Sequence, residues 1–228
     1  MKISKKKAYI FKMNLWTANI FSIAVFVIMA IITILLIDYT AIFQKPFILT
    51  LIIIYFAIHE LLHGIGYFIG GTKLKNISYG IALEKGIFYC MGYQEITKKN
   101  ILISLQMPFM VIGVITYIIG IIFKLRVLTW LSVFNIMGAA MDMAMFIFIS
   151  GIKNVHYSES GKPDEFVLIT DEDLTKKKSI FLVLKETKDY KKEDYEFKDI
   201  KRFKCSKSSW IALLILLGLD LINIILGW

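Results

Sequence analysis

Cysteine is nearly absent. The 228-residue chain has two, Cys90 and Cys205, too few for a disulfide framework. Histidine is almost as scarce, with three, so a site built from imidazoles needs other side chains to complete it. There is no internal repeat and no low-complexity tract. A cleavable leader is also missing from the reading. Lys2, Lys5, Lys6 and Lys7 precede an apolar run as in a signal peptide. The run Leu15–Ile37, however, exceeds the ~7–15 residues of a signal core, and no small-residue cleavage site follows. It reads as a retained transmembrane helix.

What is abundant is apolar. Hydrophobic residues make up 57% of the chain, and its mean hydropathy is +0.65. Soluble domains run nearer ~45–50% apolar, so the composition is that of an integral membrane protein. The net charge of +9 then reads as topology and lipid contact, not nucleic-acid binding.

Five apolar stretches approach the ~20 residues needed to span a bilayer. They are Leu15–Ile37, Phe47–Gly70, Ile101–Phe123, Val127–Ser150 and Trp210–Trp228. Pro46 marks the entry to the second, and Pro108 is expected to kink the third. Lysine and arginine concentrate in the N-terminal arm, in the loop 71–100 and in the segment 151–208, which carries about half of the basic residues. All three are expected on the cytoplasmic side of a bacterial membrane, with the N-terminus inside. Within the loop, Asn76–Leu83 and Ile87–Tyr93 could pair around Glu84-Lys85-Gly86. Glu165–Thr170 and Ser179–Lys185 read as short strands, and Asp189–Lys204 as a solvated or amphipathic stretch. The expectation is an all-α polytopic membrane protein of about five transmembrane helices, with a small β-hairpin loop and a short cytoplasmic α/β appendage. Residues 1–150 hold four helices and the site, 151–208 the cytoplasmic segment, and 209–228 the fifth helix.

The second stretch contains His59-Glu60-Leu61-Leu62-His63. HExxH on a helix puts two imidazoles one turn apart on the same face, able to grip one zinc ion with Glu60 as general base. Ionisable groups at bilayer depth cost roughly 2.5–3.5 kcal/mol each, so a role is expected of them. Catalytic zinc takes three protein ligands and keeps one position open. His156 lies in a polar stretch beyond the fourth helix, which favours a carboxylate as third ligand. Asp142 lies about eight residues from the inner end of the fourth helix and His63 about seven from that of the second, or ~11–12 Å each. Asp220 in the fifth helix, about ten residues from its inner end, lies at a comparable depth. Asn135, two turns before Asp142 on nearly the same face, is placed to stabilise an oxyanion.

The set His59-Glu60-Leu61-Leu62-His63-Gly64, Tyr89-Cys90, Pro108, Asn135, Asp142 and Asp164-Glu165-Phe166 resembles a bacterial family described as "putative zincin peptidases". That family looks like a compact relative of the site-2 protease group of intramembrane metalloproteases. The resemblance spans roughly Phe47 to Thr170. It implies zinc held by His59, His63 and Asp142, and a hairpin edge against which substrate is unwound. The group's signature continues with Gly after the Asp; here Met143 follows. The expected activity is a membrane-embedded zinc metalloprotease acting on a peptide or single-span membrane protein. The alternative is an inactive adaptor or immunity-like protein on the same scaffold.

Overall fold

A computed structural model describes residues 6–37, 48–82, 87–162, 164–191, 193 and 203–226. The chain is a mixed α/β fold, not an all-α one. It has a five-stranded and a three-stranded sheet beside its helices. The turn Glu84-Lys85-Gly86, Pro46, most of the stretch 189–204, Trp228 and the side chain of Asp220 lie outside the described residues.

The chain opens with strand β1 (Lys7–Met13) and helix α1 (Leu15–Leu36), then α2 (Ile48–Ile69). Strands β2 (Ile77–Ala82), β3 (Ile87–Gly92) and β4 (Ile96–Thr97) follow. The third apolar stretch is α3 (Lys98–Pro108), a π-helical turn (Phe109–Ile115) and α4 (Thr116–Ile122). The fourth is α5 (Arg126–Gly138) and α6 (Ala140–Ser150), bent by 46°. Then come β5 (Val155–Glu159), β6 (Glu165–Thr170), β7 (Leu182–Asp189), β8 (Phe203–Cys205) and α7 (Lys207–Leu226).

The all-α expectation fails first at β1. Its lysines read as a topogenic arm, yet Lys7-Ala8-Tyr9-Ile10-Phe11-Lys12 is a strand whose Tyr9 and Phe11 are almost wholly buried. It lies inside the five-stranded sheet, order β4-β5-β6-β1-β7, antiparallel to both β6 and β7. A segment at the chain's start thus pairs with strands more than 150 residues later, a partnership that local periodicity cannot display. The smaller sheet has the order β3-β2-β8, leaving β3 as an edge strand.

Strand pairing gathers one end of every long helix. β1 leads directly into α1, β4 into α3 and β8 into α7, while α2 leads toward β2 and α6 toward β5. Tyr9 and Phe11 of β1, Tyr157 of β5 and Phe166 and Leu168 of β6 pack with Tyr67 of α2, Ile101 and Leu105 of α3, and Met145, Phe148 and Ile149 of α6. The five-stranded sheet therefore forms a floor beneath the helices.

α2 and α3 approach closely. A Cβ on Gly66 would lie 2.5 Å from the Ser104 Cα. Only a glycine lets the two backbones meet there. Gly66→Ala is expected to destabilise the fold by about 1–3 kcal/mol through overpacking, lowering Tm by several degrees. Gly218→Ala, where among the described residues no atom beyond its chain neighbours and the local helix backbone lies within 4 Å of the added carbon, should instead raise stability by roughly 0.5–1 kcal/mol from helix preference. Thermal unfolding of the two variants in one detergent checks the contrast.

Candidate metal centre

His59 and His63 sit one turn apart on α2 and are 4% and 7% exposed. The two imidazole Nε2 atoms lie 3.1 Å apart. Asp142 Oδ2, from the first turn of α6, lies 3.1 Å from one Nε2 and 3.3 Å from the other. Three donor atoms from two helices therefore form a nearly equilateral triangle.

The other side of each ring explains which atoms point inward. His63 Nδ1 lies 2.9 Å from the Ser104 carbonyl oxygen. A carbonyl can only accept, so Nδ1 carries the proton. That carbonyl is available because of Pro108. The helical partner of a carbonyl at residue 104 would be the N–H of residue 108, and proline has none. Ser104 Oγ in turn donates to the His63 carbonyl at 2.9 Å.

His59 is fixed by the same logic. Its Nδ1 lies 2.7 Å from Asn135 Oδ1. Asn135 Nδ2 donates to the Pro108 carbonyl at 3.0 Å. That contact sets the amide's orientation, so its oxygen faces the imidazole and His59 Nδ1 must donate. Gly113 in the π-helical turn makes room, since a Cβ there would lie 3.2 Å from Asn135 Nδ2. Pro108 thus supplies both the free carbonyl that orients His63 and the acceptor that orients Asn135.

With Nδ1 donating, each ring in its neutral form aims an Nε2 lone pair at the Asp142 carboxylate oxygen. Three acceptors converging in a buried place repel one another unless a cation lies among them. Ligands at ~2.0–2.1 Å from one tetrahedral zinc stand roughly 3.3 Å apart, close to the sides of this triangle. The donor set is two imidazoles and a carboxylate, with the second ring nitrogens hydrogen-bonded, as zinc sites prefer. The residues fit the ion.

Glu60 is next to this triangle. One donor atom each from His59, Glu60 and His63 falls within 4.8 Å of the others, a group able to hold a metal. The Cys90 backbone N–H of β3 hydrogen-bonds toward the Glu60 carboxylate. A cavity of about 360 Å³ joins Glu60, the two histidines and Asp142 to Phe88–Met91 of β3.

The sequence-predicted residues His59, Glu60, His63, Asn135 and Asp142 are therefore brought together. His156 is not among them; its Nδ1 lies 2.9 Å from Glu95 Oε1, away from the cavity. Tyr55 is a packing residue whose hydroxyl donates to the Ile112 carbonyl at 2.9 Å in the π-helical turn. The sequence reading missed Ser104 as a partner of His63. It also missed Glu159, whose place at the cavity's floor depends on β5, a strand it did not recognise. The alternation Val155, Tyr157, Glu159 was the available signal.

No curated protein and no solved structure matches the chain. A family model does, over residues 51–157. That span carries both histidines, Glu60, Pro108, Asn135 and Asp142, and it is similar to the family described as "Putative zincin peptidase", which implies Zn2+ as the cofactor.

Proposed function

We propose that the chain is a membrane-embedded zinc metalloendopeptidase in which His59, His63 and Asp142 hold the ion and Glu60 is the general base. The observation that carries this is the triangle of Nε2, Nε2 and Oδ2 atoms, with sides of 3.1, 3.1 and 3.3 Å. Bound there, zinc supplies Lewis acidity toward a water molecule and a peptide carbonyl. Glu60 accepts the proton of the attacking water and returns it to the leaving nitrogen. Asn135 has both ends of its amide engaged, so we assign it to orienting His59 in place of an oxyanion contact.

Membrane embedding is supported by length and polarity. Leu15–Leu36, Thr50–Ile69 and Lys98–Ile122 are long and apolar enough to cross a bilayer, as is the bent pair α5–α6 taken as one span. α1 turns Trp16 and Leu35 outward, 76% and 80% exposed. Such a face is at home in lipid. β1 pairs in one sheet with β6 and β7, which puts these strands on one side, and the basic residues in the sequence around them support a cytoplasmic placement of that side.

The substrate is a peptide or a single-span membrane protein. β3 is an edge strand and lines the cavity, so an extended peptide can run along the cavity and pass Glu60 at Cys90. A helix entering from the bilayer would have to unwind to do so.

Two sets of variants test the reading. Glu60→Gln should keep about one zinc per chain and lose cleavage by a factor of ~10²–10⁴, whereas Asp142→Ala should lose the zinc itself. Metal content and cleavage of membrane peptides report the two separately; zinc retained at full affinity by Asp142→Ala would remove Asp142 from the ligand set. Asn135→Leu leaves the His59 Nδ1–H without its acceptor, and Pro108→Ala gives the Ser104 carbonyl a competing N–H. Each should weaken zinc binding by ~10–100-fold, read by competition with a chelator.

A further inference from the structure

One carboxylate in the cavity takes no part in the proposed chemistry. Glu159, the last residue of β5, is 4% exposed and lines the same cavity as Glu60 and Asp142. Its Oε1 accepts from Tyr157 at 3.0 Å and Tyr67 at 3.3 Å. The Gly92 backbone N–H of β3 also hydrogen-bonds toward it. All of these donors are neutral. Among the described residues no lysine, arginine or histidine pairs with Glu159. Its neighbours differ: Asp142 faces two imidazoles, and Glu165 is bonded by Lys185 at 2.7 Å and Lys162 at 3.4 Å.

A buried carboxylate lacking a cation is costly to keep charged. Burial pushes the pKa of the Glu159 carboxyl up to about 7, against the pull of the Tyr157, Gly92 and Tyr67 donors. A cation brought by a ligand would recover that cost, which makes such a group selective.

Its position relative to Glu60 is set by β3. Glu60 lies at the Cys90 N–H and Glu159 at the Gly92 N–H. Residues two apart on a strand point their N–H groups the same way and stand ~7 Å apart. A peptide in extended form covers that distance in two residues. The Tyr67 and Tyr157 rings and Met91 give apolar walls, suited to the stem of a long side chain whose charged head reaches Glu159.

We infer that Glu159, with Tyr67 and Tyr157, forms a specificity pocket for a basic side chain, lysine or arginine, about two residues from the peptide bond presented to Glu60. That the bound peptide is a substrate rests on the peptidase reading; the binding of its basic side chain does not.

The test uses the full chain carrying Glu60→Gln, zinc-loaded in lipid nanodiscs, so that nothing bound is cleaved. A random decapeptide library, acetylated at every amino terminus, is selected for binding and sequenced. The expected result is enrichment of lysine and arginine at one position by tenfold or more. Replacing that lysine with norleucine in a selected peptide should weaken binding at least tenfold. Adding Glu159→Gln, which keeps an acceptor for both tyrosines, should abolish the enrichment while zinc content stays at its parent level. Absence of basic enrichment, equal binding of the lysine and norleucine peptides, or enrichment that survives Glu159→Gln overturns the inference. Cleavage of the selected peptide by the native chain is assayed separately. Failure there removes the peptidase reading and leaves the pocket standing.

Discussion

Everything at the candidate centre depends on where two imidazole protons sit. His63 and His59 each donate from Nδ1 to an oxygen that can only accept. Their Nε2 lone pairs are then forced toward Asp142. Both oxygens trace to one residue. Pro108 withholds an N–H from the Ser104 carbonyl, and its own carbonyl turns the Asn135 amide. The π-helical turn that follows continues the irregularity, and its Ile112 carbonyl accepts from Tyr55 of α2. A regular helix across this stretch would satisfy its own carbonyls and leave the histidines without orienting partners.

That arrangement needs a rigid base, which the helices do not provide alone. α2 meets α6 through Asp142, but His59 and Asp142 lie 83 residues apart in the chain. The five-stranded sheet fixes their relative height. β5 continues from α6, β1 precedes α1, and both pack through Tyr157 and Phe11 into the same core as Tyr67 and Phe148. Phe11 stacks on Phe166 with ring centroids 5.9 Å apart, and Tyr157 stacks on Phe166 at 5.7 Å. The sheet is therefore structural support for the candidate metal centre.

How much of this was legible in the sequence follows from the range of each interaction. HExxH is local, and helical geometry alone puts its two rings on one face. Asp142 is distant, yet depth along a span is a one-dimensional quantity that can be counted from the sequence. β1 was hidden because its lysines carry a second, topogenic meaning, and because its partners β6 and β7 lie at the far end of the chain. Pro108 was legible as a kink. Its use was not, because the freed carbonyl acquires meaning only when α2 brings His63 to within 2.9 Å of it. Glu159 followed from neither pattern: it is a charged residue on the apolar face of a strand, and its face is defined by a sheet that had first to be assembled.

The same helix ties chemistry to recognition. His59, His63 and Tyr67 recur every four residues and form one stripe on α2, turned toward α3, α6 and the sheet. Glu60 follows His59 by one residue, a rotation of about 100°, which turns it toward β3. The two histidines and the tyrosine that contacts Glu159 therefore share one helix, while the proposed base faces the strand edge beside it. Motion of β3 relative to α2 would alter how a peptide meets Glu60 without disturbing the ligand triangle. Motion of the sheet floor would shift Glu159 against Tyr67 first. The cross-links from Tyr67 and Tyr157 to one oxygen of Glu159 oppose that second motion. Those contacts tie the buried carboxylate to α2, the helix that carries His59, Glu60 and His63.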